Sequence, residues 1–358
     1  MSGLYGGRMA ARWVRTSCLV AAARMGLDGS DRPHRMTEHI DQEGILRLSA
    51  PFALHHGGLL PSVRFAWRLV GPKTAPVVVA LGGISGHRRV FDLQEPRRGW
   101  WHELAGPGRV LPIDRLRILS FDWLGGSGES TGPRNGAKFP PISAHDQAEL
   151  LHRLLDEIHI ERVRAIVGAS YGGMVALTFA AKYPARVERL LVMSAADRTH
   201  PMATAWRSVQ RRMVRFAIDC GRGAEGLQIA RALAMSTYRS REEFGERFAA
   251  EPNLTDGHYT FPVEEYLFAR GADYARKYQP DGFLCLSESI DLHRIDAATV
   301  RVPVTAIAVI EDLLVPLDDM RAMVARMPNA ELHEISSHFG HDAFLKEAQV
   351  LRPFLQDL

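Results

Sequence analysis

Cysteine is scarce: Cys18, Cys220 and Cys285 are the only three in 358 residues, widely separated and without a C-x-x-C pair. That excludes a disulfide scaffold and a structural zinc site, so no metal is expected, and it fits a reducing, cytoplasmic compartment. Long apolar runs are lacking too. No stretch approaches the roughly 18–20 residues a bilayer span needs, which argues against a membrane protein. A large charge excess is absent once the chain is divided. Residues 1–35 hold six arginines against Asp28 and Asp31, so the net charge of +3 leaves −1 on the rest. A near-neutral body is a poor surface for a phosphate backbone, so nucleic acid is not the expected partner. What the chain has is an ordinary globular composition, 46% hydrophobic and 24% charged, at a length suited to one large domain with an insertion or to two domains.

The first 27 residues contain Arg8, Arg12, Arg15 and Arg24 and no acid. An organelle-targeting presequence has this composition, and so does an unstructured leader or sequence upstream of a start at Met36. Residues 1–45 are read as a leader without order. From about residue 60, brief apolar runs alternate with helical stretches. Val77–Leu81, Arg117–Phe121, Val163–Val167, Leu190–Met193, Val302–Ile310 and Glu331–Ile335 read as buried parallel strands. Ser143–His159 reads as an amphipathic helix with Ser143 as N-cap. This alternation predicts a doubly wound, mostly parallel α/β sheet. It breaks at 198–298, where Ala203–Ile218, Gly226–Met235, Arg241–Ala249 and Pro262–Lys277 read as helices and no strand is convincing. A helical lid over 198–298, inserted into a core of 46–197 and 299–358, is the expected organisation.

The strongest local motif is Gly168-Ala169-Ser170-Tyr171-Gly172, a G-x-S-x-G between a strand and the helical run Met174–Tyr183. A sharp strand-to-helix turn would present Ser170 as a nucleophile, and it is the arrangement of the α/β-hydrolase fold. A plain glycine-rich turn is the alternative. A serine nucleophile needs a base, and the base an orienting acid, in the chain order Ser, Asp or Glu, His. Asp312 and His341 follow the last two strands, with Glu311 and His338 as neighbouring alternatives. An oxyanion hole would use backbone N–H groups of Tyr171 and of the Gly82-Gly83-Ile84 loop. The loop Asp122–Ser130 is rich in glycine but does not fit G-x-G-x-x-G, and no P-loop motif occurs, so no nucleotide cofactor is expected.

From about residue 50 to 355 the chain resembles the homoserine O-acetyltransferases of methionine biosynthesis. The resemblance rests on Gly99-Trp100-Trp101 with Gly106-Pro107-Gly108, Leu124-Gly125-Gly126 with Ser130-Thr131-Gly132-Pro133, and Gly172-Gly173-Met174. It continues in Phe261-Pro262-Val263-Glu264-Glu265-Tyr266-Leu267 and Gly340-His341-Asp342-Ala343-Phe344-Leu345. It implies an α/β-hydrolase fold, no bound cofactor, acyl-CoA as co-substrate, L-homoserine as acceptor and a homodimer. It also implies Ser170, Asp312 and His341 as the catalytic set and Ile84 as an oxyanion-loop donor. Arg211 and Asp342 would be the substrate-binding pair. Three positions depart from the family: Tyr171 stands for its Met, Asp122-Trp123 for its Asn-Val, and the oxyanion loop continues into His87-Arg88-Arg89. All lie near the acyl pocket, so acetyl is only slightly favoured over succinyl as the transferred group. Arg88 and Arg89 are the cations that could meet a succinyl carboxylate, or else CoA phosphates. Competing readings are a serine O-acyltransferase, an esterase that uses water as acceptor, and a non-catalytic binding protein on the same fold.

Overall fold

A computed structural model describes residues 38–134, 136 and 138–358. The main sheet has eight strands, β1 (His39–Leu48), β2 (Val63–Pro72), β3 (Val77–Leu81), β4 (Arg117–Phe121), β5 (Ala165–Ala169), β6 (Leu190–Met193), β7 (Val304–Val309) and β8 (Ala330–Ile335). They lie in the order β1-β2-β4-β3-β5-β6-β7-β8. Only β2 runs against its neighbours; every other pairing is parallel. The central strands are apolar at every position because alternate side chains feed cores on opposite faces. Val77, Val79 and Leu81 enter one core and Val78 and Ala80 the other.

Helix α1 (Ala144–Glu157) starts where Ser143 donates its N–H to the Asp146 carboxylate at 2.7 Å, and it packs Leu150, Leu151, Leu154 and Leu155 on the first core. Helix α2 (Tyr171–Lys182) follows β5 directly. Between β6 and β7 the chain leaves the sheet for α3 (Pro201–Asp219), α4 (Gly223–Tyr238), α5 (Arg241–Arg247), α6 (Pro262–Ala275) and α7 (Pro280–Asp291). The two ends of this insertion meet at a neck, where Arg198 bridges Arg294 and the Ile295 N–H donates to the Asp197 carbonyl at 2.9 Å. Helix α8 (Leu317–Val324) returns to the first face, while α9 (Ala343–Lys346) and α10 (Ala348–Leu355) cover the second through Phe344, Leu351 and Leu355.

Several expectations change. The part of the proposed leader up to residue 37 lies outside the described residues, but 39–45 are not leader. They form the edge strand β1, paired along its whole length with β2, and Asp41 accepts from the buried Arg68 guanidinium at 2.7 and 2.8 Å. The insertion is not purely helical: Asn253–Thr255 and His258–Thr260 form an antiparallel ribbon about Asp256-Gly257. Both turn residues have positive φ, 52° and 80°, the geometry an Asp-Gly hairpin supplies. Strand β5 lies two residues later than expected, since Val163 makes only an isolated bridge to Val187. Helix α7 was not foreseen at all.

Candidate active site

Ser170 stands between the last residue of β5 and the first of α2 with φ 53° and ψ −123°, a strained backbone for a residue with a β-carbon. Two glycines make room for this turn. A β-carbon on Gly168 would lie 2.4 Å from the Gly172 carbonyl oxygen, and one on Gly172 would lie 2.3 Å from that of Leu81. The result is a hydroxyl held at the carboxyl edge of the sheet, over the N-terminus of α2.

His341 and Asp312 come from loops after β8 and β7 and meet Ser170 there. Ser170 Oγ lies 2.9 Å from His341 Nε2, and His341 Nδ1 lies 2.7 Å from Asp312 Oδ2. The other carboxylate oxygen of Asp312 accepts from the N–H groups of Leu314 at 2.8 Å and Val315 at 3.0 Å. A carboxylate fixed in this way holds Nδ1 as donor and leaves Nε2 free to accept the serine proton. Burial alone would lower the imidazole pKa, but Asp312 outweighs it, so His341 titrates above its ordinary value. The two alternatives have other roles. Glu311 binds the Ser336 hydroxyl and the Ser337 N–H, and His338 is an exposed loop residue 3.9 Å from Glu246.

The Gly82-Gly83-Ile84 loop, the candidate oxyanion loop, is pinned from below. Trp123 Nε1 donates to the Gly83 carbonyl at 3.0 Å, and the Trp123 ring meets the fully buried Tyr171 ring edge-on at 4.9 Å. Tyr171 in turn bonds Ser289 at 2.6 Å. Asp122 accepts from the Arg88 N–H at 3.0 Å, from the Arg88 guanidinium, and from the Glu129 N–H at 2.9 Å. The three departures noted in the sequence are therefore one connected support. Gly83 of that loop lies beside Ser170, since a β-carbon there would be 3.9 Å from Ser170 Oγ. Ile84 lines the same cavity. Among the described residues, no acceptor engages the N–H groups of Gly83, Ile84 or Tyr171.

That cavity, about 210 Å³, contains Ser170 and His341 with Trp100, Arg207, Arg231, Tyr238, Asp342 and Phe344 in its walls. Arg211, expected from the sequence to bind substrate, is not among them, although its partner Ser287 is. Arg211 points from α3 into α7, where its Nη1 donates to the Ser287 carbonyl and hydroxyl at 3.0 and 3.1 Å and to Asp291 at 2.5 Å. Among the cations in that wall, beside Arg198 and Arg207, is Arg231 of α4. It donates to the Tyr238 hydroxyl at 3.2 Å and lies over the Tyr238 and Tyr274 rings at 4.9 and 4.6 Å. No carboxylate among the described residues lies within ion-pair distance of it. Asp342 lines the same wall, and Arg239 contacts it at 3.3 Å. Burial raises its carboxyl pKa despite Arg239 and Arg231. The sequence did not single out Arg231; the one signal available was its spacing of seven residues, about two turns, from Tyr238, which places both on the same helix face. Arg88 and Arg89 do not enter this cavity. They line a neighbouring cleft and pair with Asp122, Glu129, Glu43 and Asp92.

Residues 76–348 match the α/β-hydrolase fold family. The chain is 44% identical over 288 residues to a protein of Xanthomonas campestris named homoserine O-succinyltransferase, covering 80% of this chain and 76% of that one. It is 33% identical over 339 residues to a Thermus thermophilus homoserine O-acetyltransferase, covering 84% and 86%. A solved homoserine O-acetyltransferase from Staphylococcus aureus superposes with a TM-score of 0.75 at 26% identity, over 89% of this chain and 95% of that one.

Proposed function

The chain belongs to the α/β-hydrolase fold family and, within it, to the homoserine O-acyltransferases, and we propose that it moves an acyl group from coenzyme A to the γ-hydroxyl of L-homoserine, a step of methionine biosynthesis. Ser170 Oγ attacks the thioester carbonyl while His341 Nε2 takes its proton. The charge that develops on the carbonyl oxygen meets the N–H groups of Tyr171 and the Gly83-Ile84 loop. The C–S bond then breaks, and the CoA thiolate leaves with the proton from His341. In the second half-reaction His341 removes the proton of the homoserine γ-hydroxyl, whose oxygen attacks the acyl-serine. The ester is released and Ser170 is protonated again.

The observation that carries this reading is the presence of Arg231 and Asp342, one cation and one carboxyl group, in the wall of the cavity that holds Ser170. A zwitterionic amino acid needs a cation for its carboxylate and an anion for its ammonium, whereas a neutral ester needs neither. Arg231→Gln should therefore raise the KM for homoserine by about a hundredfold, the scale of a lost charged hydrogen-bonding pair. Acylation of Ser170 by acyl-CoA should survive. Arg211→Gln, which faces α7, should leave that KM near wild type. Unchanged homoserine kinetics in the Arg231 variant, with water accepting the acyl group equally well, would favour an esterase.

A further inference from the structure

The start of α7 grips two loops of the core. Tyr278 stands between α6 and α7, and its hydroxyl donates to the Ser85 carbonyl at 2.9 Å. The next residue, Gln279, donates its N–H to Ser127 Oγ at 2.9 Å. Gly282, in the first turn of α7, lies so near that a β-carbon would come within 2.9 Å of the same oxygen. About two turns further on, Ser289 bonds the Tyr171 hydroxyl at 2.6 Å, and both residues are fully buried. Burial raises the pKa of both phenols, so each keeps its proton.

Ser85 belongs to the turn that carries the N–H groups of Gly83 and Ile84, which the Gly86 N–H closes by donating to the Gly83 carbonyl at 2.7 Å. In a planar peptide the direction of a C=O fixes that of the N–H across the bond, so the carbonyl partners of this loop decide where its donors aim. The core holds two of those carbonyls. That of Gly82 accepts from the Gly172 N–H at 2.9 Å, and that of Gly83 from Trp123 at 3.0 Å. The Ser85 carbonyl, on the far side of the turn, is held by the insertion through Tyr278. The Tyr278 ring stacks on that of Tyr274 at 4.2 Å, and Tyr274 packs against Arg231, so the hydroxyl has little freedom to turn away. Ser289 acts in the same way on Tyr171, the residue that offers the other donor.

We propose that Tyr278 and Ser289 are positioning residues for the oxyanion hole: the insertion, and not the sheet edge alone, aims both sets of N–H donors at the carbonyl oxygen attacked by Ser170. This rests on the acyl-enzyme reading above and adds to it the work of α7. Tyr278 lines the serine cavity but acts through Ser85, and Ser289 lies outside the cavity wall. Residues of this kind alter the stabilisation of the tetrahedral oxyanion, and not the affinity for the bound donor or the titration of His341.

The test uses the full chain without homoserine and two reagents. One is the faster of acetyl-CoA and succinyl-CoA, followed by single-turnover acylation of Ser170. The other is a methyl trifluoromethyl ketone, whose carbonyl carbon bonds to Ser170 Oγ and whose oxygen becomes a hemiketal oxyanion. Tyr278→Phe keeps the stacked ring and removes only the hydroxyl. It should slow maximal acylation about tenfold, less than the loss of about a hundredfold or more when a donor is removed outright, and weaken the ketone by a similar factor. The donor concentration for half-maximal rate should stay within about twofold, and the acidic limb of the pH profile should not move, since His341 and Asp312 are untouched. Ser289→Ala should repeat this pattern through Tyr171. Unchanged acylation and ketone binding in both variants, even with a lowered thermal midpoint, would overturn the inference, and so would a loss confined to half-saturation. If Tyr278→Phe does not fold, Ser289→Ala decides by the same readouts. A wild type that binds the ketone at Ser170 but is acylated by neither donor would overturn the proposed function, and the ketone series would still decide this inference.

Discussion

At the scale of single residues the chemistry depends on His341 being neutral when Ser170 attacks. Enclosure disfavours the imidazolium, and the carboxylate of Asp312, 2.7 Å away, outweighs that effect. A base whose pKa is raised becomes active at higher pH, so the acidic limb of kcat/KM for the acyl donor should fall above 6.5, the ordinary imidazole value. Asp312→Asn removes the raising charge and leaves the burial. Its limb should move to lower pH while the rate drops by about 10⁴-fold, because the amide no longer enforces the productive tautomer. A pH profile of the two enzymes checks this; a limb at the same pH in both would mean that another group titrates. Ser170 and its partners were legible because short motifs tie them to strand ends. Arg231 was not, because the insertion is crowded with arginines and spacing along one helix cannot say which faces a cavity. Only the tertiary packing of α3 against α7 turns Arg211 inward and leaves the serine pocket to Arg207 and Arg231.

At the scale of elements the turn from β5 into α2 is the decisive construction. The Gly172 N–H donates to the Gly82 carbonyl at 2.9 Å, which ties the start of α2 to the oxyanion loop. An alanine at 172 would press its β-carbon to 2.3 Å from the Leu81 carbonyl oxygen, against backbone that cannot rotate away. Gly172→Ala should cost on the order of 3 kcal/mol of stability, as overpacking in a rigid core does. The burst of acylation should also be lost, since the displaced turn moves both sets of oxyanion donors. Chemical denaturation and burst amplitude measure the two effects; a variant normal in both would show that the turn tolerates a side chain. Sequence patterning located these elements well where apolar runs are bounded by glycine or charge. It misplaced β5 by two residues because Val163 continues the apolar pattern beyond the paired ladder. It passed over the ribbon at Asn253–Thr260, whose Asp256-Gly257 turn was the available signal.

At the scale of the whole molecule, an eight-stranded sheet gathers the loops after β3, β5, β7 and β8 at one edge, and the insertion closes over them. The alternation of strand and helix in the sequence was enough to predict that architecture. The β1–β2 pair was not, because β1 lies within a segment read as leader and only pairing with β2 shows its place. The central claim is that the sheet edge and the insertion together support two displacements through one serine. It is tested most directly by mixing the enzyme with succinyl-CoA or acetyl-CoA in the absence of homoserine and following its intact mass on the time scale of turnover. The account predicts one acyl adduct per chain, located on Ser170 and absent in Ser170→Ala, with CoA released in the same burst. Added homoserine should then discharge the adduct far faster than water, yielding the O-acyl amino acid. CoA release that waits for homoserine, with no adduct formed, would mean direct transfer in a ternary complex and would contradict the account.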